Sequence, residues 1–365
     1  MSPKERIPDI ASIVGRYALD MPPEQQILGL FAAKWAIGGL RAVVELTIPD
    51  RLADGPRTAD ELAAAVGAKP DILYRVMRGL AAAGVFSERE DRAFGLTPIS
   101  AALRSDAVAG FRDMFLFASD PMLWRPYENI AHTIRTGVPS FTHAFGASFY
   151  DYIRENPASS AVFDRAMQQN HYPGTDRIFD EFDFGRFTRI ADVGGGHGQF
   201  LAEVLTRYPG CSGVLCDQPQ VVSEAKRLFE ERGVADRVKV VSTDFFTAIE
   251  KGCDAYFVKH TLHNWDDADA ARILRRIREA IDDNEDARLL IVDMVLTGPG
   301  TWDIGKLIDI EALSVLGGRE RSRDEWDRLA GAAGFLPAND PVVGDLAILE
   351  YRPCEPGLGV PEAPA

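Results

Sequence analysis

Cations are in short supply in this chain: 40 lysines and arginines face 55 acidic residues over 365 positions, a formal charge of −15. A nucleic-acid partner is held through Lys and Arg on phosphates, so the balance argues against one, although a local basic patch is still allowed. Cysteine is scarcer still. Cys211, Cys216, Cys253 and Cys354 form no C-x-x-C pair and no disulfide-scaffold density, and read as reduced thiols of a cytoplasmic protein. Met1–Ile7 carries charges with no apolar core behind them and does not read as a secretory signal. The most hydrophobic early stretch, Ile27 to Leu40, is interrupted by Lys34 and reads as too short to span a bilayer. Zinc-ligand spacing is lacking as well: His260 and His263 lie three apart in a loop with no Cys or His cluster elsewhere, so no metal is expected.

What is present is globular. With 46% hydrophobic and 26% charged residues, the chain has material for substantial cores, and its length suggests two domains. Ile27, Leu28, Leu30, Phe31, Trp35 and Leu40 have helical spacing, rich enough to suggest burial on more than one side. Thr58, three residues before Glu61, starts a helix that Gly67 ends; Asp71 opens a second, closed by Gly84. Val85-Phe86 and Phe94-Gly-Leu96 flank a charged tip as a hairpin, which completes a winged-helix layout. Such a layout either reads DNA or serves as a scaffold. Arg75 and Arg78 on its second helix are surrounded by acids, which favours the scaffold.

Residues 106–180 read as helices dense in aromatics, among them Phe111, Phe117, Trp124, Phe141, Phe149, Phe163 and Tyr172. Core packing suits most of them; the wall of a small-molecule site is the alternative. From about residue 185, strands at Ile190–Val193, Gly213–Cys216, Val238–Val241, Ala255–Val258, Arg288–Val292 and Ala347–Tyr351 alternate with helices. This predicts a parallel sheet covered on both faces. Ligands of such sheets sit beyond the carboxyl ends of the strands, which puts Gly194, Asp217, Asp244, His263 and Asp293 on one rim. The tail from Pro353 to Ala365 reads as disordered.

The rim holds the chemistry. Asp192-Val-Gly194-Gly195-Gly196-His-Gly198 joins a strand to a helix, and glycines there let backbone N–H groups approach a ligand. A dinucleotide fingerprint needs G-x-G-x-x-G, and Gln199 stands where its third glycine belongs. The spacing present suits S-adenosylmethionine (SAM) instead. Asp217, about 20 residues on, can hold two ribose hydroxyls in either kind of nucleotide site. Asp244-Phe245 can meet an adenine amino group and ring, although Asp after a strand is also a common turn residue. Asn264 or Asp266 can cap the next helix; His263 has no such local duty and is placed to take a proton near neutral pH.

Together, the glycine stretch, Asp217, Asp244-Phe245, Lys259…His263-Asn-Trp265-Asp and Leu316-Gly-Gly-Arg-Glu320-Arg-Ser-Arg-Asp-Glu-Trp326 resemble the SAM-dependent small-molecule O-methyltransferases. These include the plant caffeate and flavonoid enzymes and bacterial polyketide-tailoring enzymes, and the likeness runs from about residue 25 to 351. It implies an α/β protein with a winged-helix-like helical dimerisation domain (1–105), a helical linker and pocket wall (106–180) and a Rossmann-like class I methyltransferase domain (181–352), followed by the tail (353–365). It implies Asp192, Gly194, Gly195, Gly196, Asp217, Asp244, Phe245 and Lys259 as cofactor-binding residues. His263 corresponds to the catalytic base, Asp293 and Glu320 to the acids that orient it. Phe163 and Met167 correspond to the substrate wall, which Trp124 and His171 would extend. Asp293 stands where plant relatives have Glu, one methylene longer, so an indirect contact with His263 is expected.

The reaction implied is methyl transfer from SAM to a hydroxyl of a small aromatic molecule, leaving S-adenosylhomocysteine (SAH), by a homodimer without metal, nucleic acid or membrane. C- or N-methylation on the same cofactor, non-methylating SAM chemistry and a winged-helix regulator are the rivals. With an ordinary imidazole, the rate would rise with pH near about 6.5.

Overall fold

The computed structural model describes residues 22–107, 110–168, 175–222, 225–340 and 346–355, and the chain divides into two units. One is Met1–Arg125 with Tyr150–His171; the other is Pro126–Phe149 with Tyr172–Ala365. The aromatic stretch 106–180 is shared between them.

In the first unit the capping box forms as spaced. Thr58 accepts from the Glu61 N–H, and the Glu61 carboxylate accepts from the Thr58 N–H at 2.8 Å, which heads the helix Ala59–Val66. Pro70, needing no N–H partner at a first helical position, opens Pro70–Ala82 one residue before Asp71. Strands β1 (Arg57–Thr58), β2 (Phe86–Glu88) and β3 (Ala93–Leu96) pair antiparallel in the order β1-β3-β2, so the wing is present. Leu62, Met77, Leu80, Phe86 and Phe94 are its buried core.

The first long helix departs from expectation twice. It runs Pro23–Glu45, 23 residues, so it is long and apolar enough to cross a membrane by length and composition, where Ile27–Leu40 alone was too short. Nor is it buried on more than one side. Leu40, Val43 and Val44 are buried, while Ile27, Leu28, Leu30, Phe31 and Trp35 are each more than half exposed on the single protomer. Helical spacing identifies an apolar face but not the molecule that covers it.

The second unit is built on β4 (Arg189–Val193), β5 (Ser212–Asp217), β6 (Val238–Ser242), β7 (Ala255–Lys259), β8 (Arg288–Leu296), β9 (Arg321–Ser322), β10 (Phe335–Pro337) and β11 (Leu346–Pro353). The order is β10-β11-β8-β7-β4-β5-β6, with β9 beside β8. Strands β4 to β8 are parallel neighbours, as the alternation predicts. Strand β11 instead runs antiparallel to both β8 and β10; the link from Pro337 to Leu346 is shorter than the roughly a dozen residues a parallel crossover from β10 would need. Pro353 closes β11 and so leaves the tail; positions 356–365 lie outside the described residues.

Alternation along the strands feeds two cores. Ala191, Val193, Tyr256, Val258, Leu289 and Ile291 join one with the helices Asp267–Ile281 and Arg323–Ala332. Ile190, Phe257, Leu290 and Val292 join the other with the helix Gln199–Arg207. Several aromatics of the shared stretch pack on one another: Phe117 on Phe163 at 5.5 Å, Phe141 on Phe145 at 4.6 Å and on Phe149 at 5.5 Å. Sequence order reverses between β4 and β7, and the crevice beyond their carboxyl ends is where such sheets take ligands.

Candidate active site

Strand β7 ends at Lys259, opposite Val292 of β8, and the His260 N–H makes one more bond, to the Val292 carbonyl at 3.0 Å. His260 then takes a positive φ of 48°, and the chain turns out through Thr261 into the 3₁₀ turn Leu262–Asn264 that carries His263. Asp266, rather than Asn264, caps the next helix, accepting from the Asp269 N–H at 2.8 Å. Strand β8 continues to Leu296, so Asp293 lies within a strand and does not close one. Its side chain falls on the face that also carries Ile291 and Val295, and it is fully buried. A carboxylate in such a place must be paired, because burying it alone costs several kcal/mol.

Its partners are imidazoles. The Nδ1 of His263 lies 3.1 Å from Asp293 Oδ1 and 3.0 Å from Glu320 Oε1, and His260 Nδ1 lies 3.3 Å from the same Asp293 oxygen. The contact between Asp293 and His263 is therefore direct, against the expectation of an indirect one. Nδ1 carries one hydrogen at most, so it is split between two acceptors and neither bond is well aligned. Burial pulls the His263 pKa down, but the charges and hydrogen bonds of Asp293 and Glu320 outweigh it and push it up to about 10. His260 goes the other way, to about 4, through burial and the Lys259 charge. Burial disfavours ionised Asp293, yet His263 and His260 hold it below the usual carboxylate range; Glu320, also buried, is raised. His260, His263 and Asp293 are also the one group among the described residues that could hold a metal ion.

Glu320 reaches His263 by an unusual route. The helix Gly305–Glu311 widens into a π-helix at Ala312–Leu316, a form frequent at functional sites. Gly317 and Gly318 follow, and the Arg319 N–H donates to the His263 carbonyl at 2.8 Å. A Cβ on Gly318 would lie 2.1 Å from that carbonyl oxygen, so only glycine lets this segment rest on the histidine turn. The Glu320 N–H is fixed by Asp309 Oδ1 at 2.7 Å.

The glycine turn lies after β4. Both oxygens of Asp192 are buried and have no hydrogen-bond partner, which suits an ammonium donor such as the amino group of SAM. Burial, then the charge of Asp217, hold its carboxyl well above the usual range, with Lys259 opposing. A Cβ on Gly195 would sit 2.2 Å from that carboxyl, whereas one on Gly196 would meet nothing within 4 Å, so the outer side of the turn is open. Asp217 accepts from the Gly196 N–H at 2.8 Å and the Gln218 N–H at 2.7 Å, and each oxygen keeps a lone pair for a hydroxyl. These residues fit the methionine and ribose ends of SAM. Lys259, its ammonium 5.7 Å from the Phe200 ring centre, is pushed down to about 8 by burial, with Asp192 and Asp293 opposing. Asp244 is exposed and holds a local turn, accepting from the Phe246 N–H at 2.8 Å. The Phe245 ring is buried against Phe246 and Trp265.

The second unit thus unites His263, Asp293 and Glu320, and sets Asp192, Asp217 and Lys259 around the glycine turn. Trp124, Phe163 and Met167 belong to the first unit. His171 lies outside the described residues. Two contributors were not foreseen: His260, which shares Asp293, and Thr261, whose hydroxyl reaches the Gly194 carbonyl at 3.3 Å and the Lys259 carbonyl at 3.0 Å. The only signal for either was its place between Lys259 and His263.

Comparison with known proteins gives two family matches, an O-methyltransferase domain at residues 127–336 and an O-methyltransferase dimerisation domain at 29–106. The chain belongs to the O-methyltransferase family. Among its relatives is 8-amino-8-demethylriboflavin N,N-dimethyltransferase of Streptomyces davaonensis, 41% identical over 86% of this chain and 90% of that protein. Mitomycin biosynthesis 6-O-methyltransferase of Streptomyces lavendulae is 36% identical over 90% and 94%. An O-methyltransferase from neocarzinostatin biosynthesis, solved with SAM and 2-hydroxy-5-methyl naphthoic acid, superposes with a TM-score of 0.74 at 32% identity over 93% of this chain and 99% of that one. As a member of this family, the protein is a SAM-dependent methyltransferase.

Gly318→Ala should push the Arg319–Glu320 segment off the His263 turn. A misplacement of about 1 Å is enough to lower methyl transfer on the order of 10²-fold. Turnover assays at saturating SAM, with circular dichroism to verify folding, check this.

Proposed function

We propose that this O-methyltransferase moves the methyl group of SAM onto a hydroxyl of a small aromatic acceptor, with His263 as general base. The observation that carries the reading is the pair of buried carboxylates on Nδ1 of His263, which leaves Nε2 to face a proton donor. SAM, when bound, supplies an electrophilic methyl group. Asp192, Asp217 and the glycine turn hold its two ends, and Asp244, Phe245 and Lys259 complete that side. Nε2 of His263 would take the proton of an acceptor hydroxyl whose oxygen displaces the methyl carbon from sulfur, SAH being the leaving group, and Asp293 and Glu320 would stabilise the imidazolium. Phe163, Met167, Trp124 and His171 are assigned to the acceptor wall. A phenol has a pKa of about 10, so below that pH it is protonated and gains from such a base, worth roughly 10²–10⁴-fold in rate once the imidazole is unprotonated. His263→Ala should lower kcat by that order while calorimetry finds SAM affinity nearly unchanged. Full turnover in that variant would leave alignment of the reactants as the sole source of rate.

An amine acceptor is the second reading, favoured by the name of the relative at 41% identity. Product analysis with methyl-labelled SAM across phenols, hydroxynaphthoates and aromatic amines separates the two.

The imidazole acts only when unprotonated, and its pKa is pushed up to about 10. The rate should therefore rise with pH along a limb well above the ordinary 6.5 or so. Removing one carboxylate lowers the affinity of the imidazole for its proton, so Glu320→Gln should move that limb to lower pH. A pH–kcat profile of both proteins checks the sign.

A homodimer goes with this reading, in a cytoplasmic setting. Of the exposed Ile27, Leu28, Leu30, Phe31 and Trp35, the last three fall within the match to a dimerisation domain, and a second copy would cover the whole face. Sedimentation equilibrium should give twice the chain mass, and Trp35→Glu should shift the protein toward monomer. A monomeric wild type, or one recovered with membranes, would overturn this assignment.

A further inference from the structure

Arg321, next to Glu320, is fully buried, and its guanidinium is spent on one place. Nη1 donates to the Leu262 carbonyl at 3.2 Å and the Arg319 carbonyl at 3.0 Å, and Nη2 to the Trp265 carbonyl at 3.0 Å. Nε and Nη2 both reach Asp267 Oδ1, at 2.9 and 2.8 Å. Leu262 and Trp265 are the residues on either side of His263-Asn264. The guanidinium carbon lies 4.9 Å from the ring centre of buried Trp326, whose indole N–H donates to the carbonyl of Met294, the neighbour of Asp293. Arg321 itself pairs with Val295, two residues beyond Asp293 in β8.

We propose that Arg321 is a positioning residue for methyl transfer: its guanidinium grips the histidine turn on both sides and sets the imidazole against Glu320 and Asp293. The inference rests on the reading of His263 as base. Charge neutralisation alone does not explain the arrangement, since Asp267 supplies the counter-charge from a half-exposed position while three of the donor contacts go to uncharged carbonyls. The planar fork is what spans them. A lysine keeps the charge but offers its donors from one point, so it cannot hold the Leu262 and Trp265 carbonyls and Asp267 at once.

The test is a double-mutant cycle of Arg321→Lys and His263→Ala. It reads labelled-methyl transfer to the most rapidly methylated member of the acceptor panel, with SAH affinity by calorimetry alongside. In the wild-type background Arg321→Lys should lower kcat on the order of 10²-fold, with SAH affinity changed by no more than about twofold. Its pH–kcat limb should fall toward that of an ordinary imidazole, as His263 loosens from its carboxylates. In the His263→Ala background the same substitution should change kcat by no more than about twofold. Equal losses in both backgrounds, or a pH limb that stays in place, would reduce Arg321 to a fold-holding residue and overturn the inference. Should Arg321→Lys not fold, Asp267→Asn loosens the outer end of the grip and should give a smaller loss with the same dependence on His263; no such dependence overturns the inference equally. Wild-type turnover in His263→Ala alone would instead strike the base reading, a distinct outcome.

Discussion

A negative charge in the middle of a hydrophobic strand has to be answered, and in this protein the answer is an imidazole. Asp293 takes a core position between Ile291 and Val295, and His263 and His260 bring Nδ1 to one of its oxygens. Glu320 adds a second carboxylate to His263. The site follows from that arrangement. A single ring hydrogen serves two acceptors, so Nδ1 is committed, the ring is oriented, and its proton affinity rises. The price in stability of two buried acids is met by the same contacts that raise the proton affinity of the imidazole.

The polypeptide around this cluster is shaped to deliver it. Strand β7 stops one residue before His260, whose left-handed conformation throws the chain into a tight turn. The π-helix and Gly318 lay a second segment on that turn, and Arg321 ties both from beneath. Thr261 links the same loop to the Gly194 carbonyl, so a hydrogen bond joins the glycine turn to the histidine turn. Lys259 interacts with both Asp192 and Asp293, which raise its pKa against the larger lowering by burial.

Charge separates the two halves of the chemistry. Asp192 and Asp217 line the glycine turn with acidity suited to a cationic donor. His263 carries the opposite tendency, toward holding a proton. The relatives span oxygen and nitrogen acceptors by name, consistent with a shared donor side and a variable acceptor side.

Much of this was readable from the chain because it rests on local rules. The Thr58–Glu61 box, the hairpin, the strand alternation and the strand–glycine–helix unit each depend on neighbours within one or two turns, and all are present as read. His263, Asp293 and Glu320 were reachable by resemblance to a family. What sequence could not supply was pairing at a distance. Strand β11 read as one more strand of a parallel sheet, whereas it runs antiparallel to β8 and to β10, a strand that carried no such reading. The Pro23–Glu45 helix read as buried because periodicity marks an apolar face without naming its cover. Asp293 read as the end of a strand, yet β8 runs on past it. Arg321, His260 and the π-helix carry no periodic or motif signal of their own. Their roles arise only when residues some 30 to 60 positions apart meet at one buried oxygen or one turn, and only packing decides that.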